Sequence, residues 1–336
     1  MNRKHISVGL MVLAIVLGVS LAPALAGAPA DKPLKKVTFL TNYVFHGRHS
    51  PFFVGLEKGF YKEAGFDIQI SPSTGSGFVV TAVDGGKADY GMAESTSVTQ
   101  AIAKGAKVKG FTVFMDITTS GLASLTPYPT PESLNGKTVA ASLTDSARVI
   151  LPIIFNQKGV DPNIVKWLAA DPAVYFALLL ENKVDLFTAS IDGDVPALMR
   201  VAGPQGKTVH FSSFADWGYD VFGYFLVSSA DKVAKSPDEV RAFSAATAKA
   251  VKYSMEHPEE TARIMVKHNP TLNPDTTLAQ WRQSIKAINT AYVQKNGYGV
   301  ATPDRLQRTI DLVKQAFKSD AKLSPDDIYA GGLVSR

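Results

Sequence analysis

Short strand-like segments alternate with helical segments in the first part of the chain. Residues 36–41 alternate between polar and apolar and are rich in β-branched residues, which predicts a strand. Ser50 and Pro51 then begin a predicted helix that runs toward Gly65, with the serine as N-cap. A second strand is predicted at residues 66–70, followed by a turn and a short helix. This order predicts a parallel sheet whose ligand crevice lies at the carboxyl ends of the strands.

A weak internal similarity links two later segments. Residues 87–93 resemble residues 183–189, and a polar cluster follows each of them. Each segment predicts a strand that delivers polar groups to one end of a sheet. We interpret the pair as equivalent parts of two lobes that face one cleft, and a chance match stays the alternative.

The predicted lobes are joined by two crossing segments. Three prolines within residues 125–131 mark the first crossing, and a strand at residues 222–228 carries the chain back. We therefore predict an α/β protein of two lobes, each with a mixed, mostly parallel sheet and flanking helices. The first lobe is expected to comprise residues 27–120 and 225–336, and the second residues 121–224.

The C-terminal part of the chain is predicted to be helical and to cover the first lobe. Residues 236–239 read Ser-Pro-Asp-Glu, which predicts a capping box with proline at the first helical position. Val240, Phe243 and Val251 then form one apolar face of the helix that follows.

Residues 1–26 have the three parts of a secretory signal peptide. The basic residues Arg3 and Lys4 precede an apolar run over residues 8–21, and small residues follow. The alternative is a membrane anchor, which does not need a small-residue cleavage pattern. We expect cleavage after Ala26 and a mature protein in the periplasm.

Composition excludes several classes of protein. The 336 residues include no cysteine, which excludes disulfide scaffolds, cysteine-ligated metal centres and thiol nucleophiles. The net charge of +5 comes from scattered basic residues, so no nucleic-acid footprint is predicted. No hydrolase, zinc or nucleotide-binding motif is found in the sequence, so no catalytic residue, cofactor or metal is predicted.

Polar and aromatic residues concentrate where the predicted strands end. Free backbone amides in a Gly-Ser-Gly turn can hold an anion or a carbonyl, and two carboxylates, Glu94 and Asp192, come from opposite lobes. Helix capping and core packing are the alternative roles for these residues. Aromatic side chains beside acids favour a planar nitrogenous solute, whereas Arg48 and Arg148 would suit an anion. The candidate ligand-binding residues are Asn42, Tyr43, His46, His49, Gly75, Ser76, Gly77, Glu94, Ser95, Thr144, Asp145, Ser146, Asp192, Trp217 and Tyr219.

Several motifs resemble one known family. They are a histidine before Pro-aromatic at residues 49–52, Glu-Lys-Gly-Phe-Tyr at 57–61, Gly-Lys-Ala-Asp-Tyr-Gly at 86–91 and Pro-Asp-Glu-Val-Arg-Ala-Phe at 237–243. The chain thus resembles the solute-binding proteins of ABC importers in the nitrate, sulfonate, taurine and thiamine-pyrimidine-precursor group. The resemblance implies a periplasmic-binding-protein type II fold whose lobes close on a small solute. It also implies a monomer that delivers the solute to an ABC permease and its ATPase.

The same family contains synthases that make the thiamine pyrimidine from pyridoxal phosphate and one of their own histidines. The resemblance places their cofactor lysine two residues after Gly91 and their sacrificial histidine four residues further on. This chain has Ala93 and Ser97 there, and it lacks their cysteine-rich motif. We therefore expect a binding protein and not an enzyme. The alternatives are such a synthase, a sulfonate-type or nitrate-type anion binder, and a secreted sensor.

Overall fold

A computed structural model describes Met1 and residues 33–334 of the chain. The predicted signal peptide, apart from Met1, lies outside these residues and stays a prediction. Among the described residues, no helix combines the length and the apolar character needed to cross a membrane.

The described residues form two five-stranded sheets. The strands are β1 (Lys35–Leu40), β2 (Phe66–Ser71), β3 (Tyr90–Glu94), β4 (Val108–Met115), β5 (Ser120–Ser124), β6 (Thr138–Ala141), β7 (Lys166–Ala169), β8 (Leu186–Ser190), β9 (His210–Ser213) and β10 (Tyr224–Ser229). The first sheet has the order β2-β1-β3-β10-β4, and the second has the order β7-β6-β8-β5-β9.

The two sheets share one topology. In each sheet three parallel strands are followed by an antiparallel strand, β10 in the first and β5 in the second. The two segments with similar sequence become β3 and β8, which hold equivalent third positions. Each of them pairs with a strand that has just crossed from the other sheet, so Tyr224 lies opposite Glu94 and Ser120 lies opposite Ser190. The lobe boundaries given above stay a prediction.

Helices flank both sheets. Those that connect the strands are α1 (Ser50–Glu57), α2 (Phe60–Glu63), α3 (Ser76–Asp84), α4 (Ser95–Ala103), α5 (Ala147–Lys158), α6 (Tyr175–Leu180) and α7 (Asp194–Ala202). The single helix predicted from Ser50 is two helices, because Gly59 between them has a φ of 75°. That left-handed conformation ends α1, and glycine adopts it without steric cost.

The chain after β10 is helical, as predicted. It contains α8 (Ala230–Lys235), α9 (Pro237–Glu256), α10 (Pro258–His268), α11 (Pro274–Ile288), α12 (Ala291–Asn296), α13 (Pro303–Phe317) and α14 (Pro325–Ile328). Phe243 of α9 stacks on Tyr90 of the first sheet, with 4.0 Å between ring centroids. Val313 of α13 belongs to the hydrophobic cluster of the second sheet, so these helices cover more than the first sheet alone.

The capping box predicted at Ser236 is wrong. The Ser236 side chain makes no capping hydrogen bond, although Pro237 does begin the helix. The Glu239 carboxylate instead accepts hydrogen bonds from Lys35 Nζ at 2.5 Å and Tyr90 Oη at 3.1 Å. A long-range partner has therefore replaced the local one that the spacing predicted.

Candidate functional site

A cavity lies where the ends of strands from both sheets meet. It is lined from the first sheet by residues that follow β1 and β2, and from the second by residues at β5, β6 and β8. Its empty volume is about 410 Å³, counted out to the solvent at its mouth. The carboxyl ends of parallel strands are where open α/β sheets bind ligands.

Direct hydrogen bonds join the two walls beside this cavity. The Gly77 backbone N–H donates to Thr144 O at 3.0 Å, and Ser142 Oγ donates to Thr74 O at 2.6 Å. Gly75 makes this approach possible, because a Cβ atom at that position would lie 2.3 Å from Thr144 O. The segment after β2 and the segment after β6 are therefore in backbone contact, as expected for closed walls.

The side chains after β1 are held by a chain of hydrogen bonds. His49 Nδ1 accepts from the His46 backbone N–H at 3.3 Å, so the ring carries its proton on Nε2, which donates to Asn42 Oδ1 at 3.0 Å. Burial lowers the pKa of both His46 and His49 well below the usual value, and the nearby Arg48 lowers each further. Both imidazoles are therefore neutral at physiological pH.

Two carboxylates belong to the cavity wall of the second sheet. Asp145 Oδ1 accepts from the Ala147 backbone N–H at 2.8 Å, and its Oδ2 accepts from Thr188 Oγ1 at 2.6 Å. Asp194 Oδ2 accepts from the backbone N–H and the hydroxyl of Ser190, at 2.8 and 3.1 Å. Burial raises the pKa of Asp145, and it raises the pKa of Asp194 to about 6.

A buried ion pair lies behind the cavity. Arg48, which lines the cavity, pairs through Nη2 with Oδ1 of Asp192, and both side chains are almost completely buried. Asp192 Oδ2 accepts from Ser284 Oγ of α11 at 2.7 Å. The Arg48 guanidinium also lies over the ring of Tyr224, 4.9 Å from its centroid. This arrangement balances the charge of the arginine within the protein.

Gln280 of α11 reinforces this connection. Its Nε2 donates to Gly193 O at 2.5 Å, and its Oε1 accepts from the Gly47 backbone N–H at 2.8 Å. The segment after β1 and the segment after β8 are thus linked both directly and through one helix.

The structure brings seven of the fifteen predicted site residues to the cavity wall. They are Asn42, Tyr43, His46, Gly75, Ser76, Asp145 and Ser146. They share the position expected of them, just beyond the carboxyl ends of parallel strands. Their contact with a ligand stays a prediction.

The other predicted site residues lie outside the lining, and most of them make contacts within the protein. Trp217 Nε1 donates to Pro129 O at 2.9 Å, Tyr219 Oη pairs with Thr96 Oγ1 at 2.7 Å, and Ser95 Oγ donates to Phe222 O. This group comprises His49, Gly77, Glu94, Ser95, Thr144, Asp192, Trp217 and Tyr219. For Trp217, Tyr219 and Ser95, a hydrogen-bond partner distant in sequence fixes the side chain. His49 is instead held by partners nearby in the chain.

Glu94 is fully buried next to this site. Its Oε1 accepts from Thr118 Oγ1 at 3.1 Å, and its Oε2 has no partner among the described residues. Burial raises the pKa of Glu94 to about 8, with further contributions from Asp145 and Asp192, while Thr118 and Arg48 oppose the rise. The side chain is therefore mostly protonated at neutral pH.

Sequence reasoning missed several residues of the cavity wall. They include Thr188, Ser190, Asp194, Phe214 and Tyr224. Arg48 also lines the cavity, and the sequence had suggested it only for an anionic ligand. Asp194 could have been predicted as a site residue. It begins α7, shortly after β8, the strand that the internal similarity had already placed at the cleft. For Phe214 and Tyr224 the apolar pattern favours core packing, and nothing local distinguishes a core ring from a cavity wall.

This fold is shared with known binding proteins. The structure superposes on the ligand-binding component of an ABC-type import system from Staphylococcus aureus with a TM-score of 0.65, at 14% identity, covering 90% of this chain and 98% of that one. It superposes on the periplasmic aliphatic sulphonate-binding protein SsuA from Escherichia coli with a TM-score of 0.62, at 15% identity, covering 88% and 92%. The predicted α/β periplasmic-binding-protein fold is confirmed.

The sequence itself points to one family within that fold. Residues 46–261 match the NMT1/THI5-like family, and the chain belongs to it. The 4-amino-5-hydroxymethyl-2-methylpyrimidine phosphate synthase THI11 of Saccharomyces cerevisiae is 24% identical over 282 residues, which cover 79% of this chain and 82% of the synthase. The predicted resemblance to the thiamine-pyrimidine group is confirmed.

These relatives correct one expectation. The expectation that the chain is not an enzyme is contradicted, because relatives from yeasts and from Legionella pneumophila are synthases by name. Ala93 is buried in β3 and Ser97 lies in α4 with its hydroxyl unpartnered among the described residues. Because relatives in the same family are synthases by name, the identity of these two residues does not by itself decide whether the chain is an enzyme.

Proposed function

We propose that this protein is the solute-binding component of an ABC importer. It encloses a small organic solute, aromatic or heteroaromatic and pyrimidine-like, between its two lobes. It then presents the solute to a membrane permease that works with an ATPase.

One observation carries this proposal. The cavity is lined by polar groups of both sheets, and backbone contact between residues 74–77 and residues 142–144 closes the walls beside it. A solute that touches both walls stabilises the closed form by the difference between its affinities for the closed and open forms. This geometry supports capture by lobe closure.

Aromatic rings on the wall support a flat solute. Tyr43, Phe214 and Tyr224 line the cavity and are all buried. Rings of this kind stack on planar ligands and contribute about 0.5–1.5 kcal/mol beyond the burial of apolar area.

Export to the periplasm is part of this proposal. It is supported by the basic start, apolar run and small residues of 1–26 and by the periplasmic homologue of the same fold. Native mass spectrometry of the protein recovered from the periplasm is expected to show a monomer whose mass corresponds to a chain that begins at Gly27. A full-length product confined to the cytoplasm would contradict export.

A ligand screen tests the binding function. Thermal-shift measurements with pyrimidines, aromatic acids and sulfonates are expected to raise the melting temperature for a pyrimidine-like solute, and small-angle scattering is expected to show a compact, closed form. No stabilisation by any of these compounds, or a bound form as extended as the ligand-free form, would contradict capture by closure.

A matched pair of tyrosine variants locates the site. Tyr43 and Tyr298 both have buried hydroxyls with no hydrogen-bond partner in the described part of the chain, but only Tyr43 lines the cavity. We expect Tyr43→Phe to weaken binding of the solute about tenfold, because it removes one ligand hydrogen bond. Tyr298→Phe is expected to leave binding unchanged, and equal effects of both would move the site elsewhere.

Synthesis of a thiamine pyrimidine is the second candidate function. It is favoured by the synthase relatives, which match over 79% of the chain. The described cavity wall, however, contains no lysine and has two carboxylates beside an arginine that is already paired, so it does not fit pyridoxal phosphate. Incubation with pyridoxal phosphate followed by mass spectrometry decides between the two, because a pyrimidine product would establish the synthase.

A further inference from the structure

The charges on the cavity wall do not balance. Among its described lining residues the ionisable side chains are Arg48, Asp145, Asp194, His46 and two tyrosines. The positive charge of Arg48 is neutralised by Asp192 behind the wall. His46 is neutral because burial lowers its pKa well below the usual value. Two carboxylates are therefore left without a cation.

The nearby cations are engaged elsewhere. Arg148 follows Asp145 closely, but its Nε donates to Ser142 O at 2.7 Å and its Nη2 donates to Ala141 O at 3.0 Å. The same guanidinium lies over the Trp167 ring, 4.7 Å from the centroid. Within residues 33–334 no lysine, arginine or histidine forms a salt bridge with Asp145 or with Asp194. A buried carboxylate without a cation is costly.

The hydrogen bonds of Asp194 leave room for a ligand. Both of its bonds go to Oδ2, and Oδ1 accepts none from the described residues. The side chain is partly exposed and lines the cavity. Oδ1 is therefore a free acceptor at the cavity wall.

Two further polar atoms of the wall lack partners. Tyr43 Oη and His46 Nδ1 are buried without a hydrogen bond in the described part of the chain, and their side chains are 9% and 5% exposed. Burial raises the pKa of Tyr43 well above its usual value, and the charges of Asp194 and Asp145 add to the effect. Both carboxylates thus act on the same hydroxyl. Buried polar atoms that lack partners inside the protein mark the position of a ligand.

From these contacts we infer that the solute carries a cationic, N–H-donating nitrogen, of the ammonium or amidinium type, which binds between Asp194 and Asp145. This inference rests on the proposed binding function and names the charge class of its solute. A planar amidinium offers several charged N–H donors, and Asp194 Oδ1 is the free carboxylate oxygen that can accept from one of them. Arg48 Nε, which is also buried without a partner, is left for a neutral acceptor atom on the same solute.

This charge class differs from that of the sulphonate-binding protein that shares the fold. A sulfonate would add a negative charge to a wall that already holds two carboxylates, and like charges at short range in a buried site oppose binding. The one arginine of the wall does not offset this repulsion, because its charge is already paired with Asp192.

A series of three isosteric probes tests the inference. Benzamidine, benzamide and benzoate have the same planar shape and differ in charge from +1 to 0 to −1. Isothermal titration and thermal shift of the purified protein are expected to show binding of benzamidine at millimolar concentration, with affinity at least tenfold above that for benzamide and no binding of benzoate. Equal affinity for all three, preference for benzoate, or no binding of benzamidine would overturn the inference.

Three variants assign the effect to the two carboxylates. Asp194→Asn and Asp145→Asn are each expected to weaken benzamidine binding about ten- to a hundredfold, the range for a hydrogen bond to a charged group. Asp216→Asn, at an exposed position of the same part of the chain, is the control and is expected to bind like the parent. Wild-type affinity in both cavity variants would overturn the assignment, and thermal melts of each variant verify that it is folded.

Failure of this inference is distinguishable from failure of the proposed function. If a neutral pyrimidine or benzoate closes the lobes while benzamidine does not, the binding function stands and the charge class is wrong. If pyrimidines, sulfonates, aromatic acids and all three probes fail to stabilise the protein, both are wrong.

Discussion

Arg48 and Asp192 form a buried ion pair between the segment that follows β1 and the segment that follows β8. They are 144 residues apart in the chain. The pair therefore connects the two sheets through side chains, next to the cavity, in addition to the two covalent crossings. It also removes Asp192 from the cavity wall, where the sequence placed it as a ligand contact.

Asp192→Ala is expected to destabilise the empty protein. Removing the carboxylate leaves the Arg48 guanidinium buried without its counter-ion, which costs about 3–5 kcal/mol in the free energy of unfolding. Asp231→Ala is the control, because Asp231 pairs with Lys235 in full solvent exposure, where screening by water leaves an ion pair little effect on stability. Urea unfolding measures both, and an Asp192→Ala protein as stable as the control would show that the pair contributes nothing.

A second prediction concerns Arg305, which contacts both connections between the sheets. It pairs with Asp116 after β4, and its Nη2 donates to Val221 O before β10 at 3.2 Å. We expect Arg305→Met to lower the free energy of unfolding by about 3 kcal/mol, because Asp116 is left buried and unpaired.

Arg308→Met on the same helix is the control for Arg305. Arg308 pairs with Asp220 at 2.9 Å in an exposed position, so its loss is expected to cost less than about 1 kcal/mol. Chemical denaturation of both variants makes the comparison, and equal losses would show that the contacts of Arg305 to the crossings add no stability.

The raised pKa of Glu94 leads us to predict that the stability of the protein depends on pH. Its pKa of about 8 in the folded protein, raised by burial, lies above the ordinary value of 4.5 that applies to the unfolded chain. The folded protein therefore binds one more proton between these values, and this contribution to stability is present at low pH and lost as the pH rises through 8. A single group changes the free energy of unfolding by up to about 1.4 kcal/mol per pH unit in this window.

Glu94→Gln isolates that effect, because glutamine mimics the protonated side chain. We expect the melting temperature of the parent to fall more steeply from pH 5 to pH 9 than that of the variant, with the two closest at pH 5. Parallel pH profiles would show that Glu94 titrates normally.

The close approach of Gly75 to Thr144 leads us to predict that a side chain at position 75 hinders closure of the two lobes. A methyl group there would meet Thr144 O at 2.3 Å, and the φ of 154° disfavours other residues. Gly75→Ala is therefore expected to weaken solute binding at least tenfold, about 1.4 kcal/mol, and to shift small-angle scattering of the bound form toward the open shape. Gly86→Ala is the control, with a φ of 68° and nothing within 4 Å of the added atom. Closure of both variants to the same extent would contradict the role of Gly75.

The sequence alone determined the local elements and their order. Alternation and β-branching predicted β1 and β2, the Ser-Pro pair predicted α1, and the internal similarity predicted β3 and β8 as equivalent strands. These predictions succeed because side-chain periodicity acts between residues that are close in the chain. The predicted Ser50 cap does not form, because Ser50 lies within α1 and its hydroxyl has no hydrogen-bond partner among the described residues. The order of elements also predicted the two-lobed arrangement. It predicted seven residues of the cavity wall as well, because ligands in parallel α/β sheets lie at the carboxyl ends of the strands.

Only the tertiary structure decided which charges are paired and which are left for a ligand. Asp192 and Asp194 lie two residues apart with the same chemistry, yet the first pairs with Arg48 and the second faces the cavity. Glu239 likewise bonds to Lys35 and Tyr90 where its spacing predicted a helix cap. The physical reason is that a buried charge requires a partner within a few ångströms. That partner comes from packing between distant elements, which has no periodic signature in the sequence.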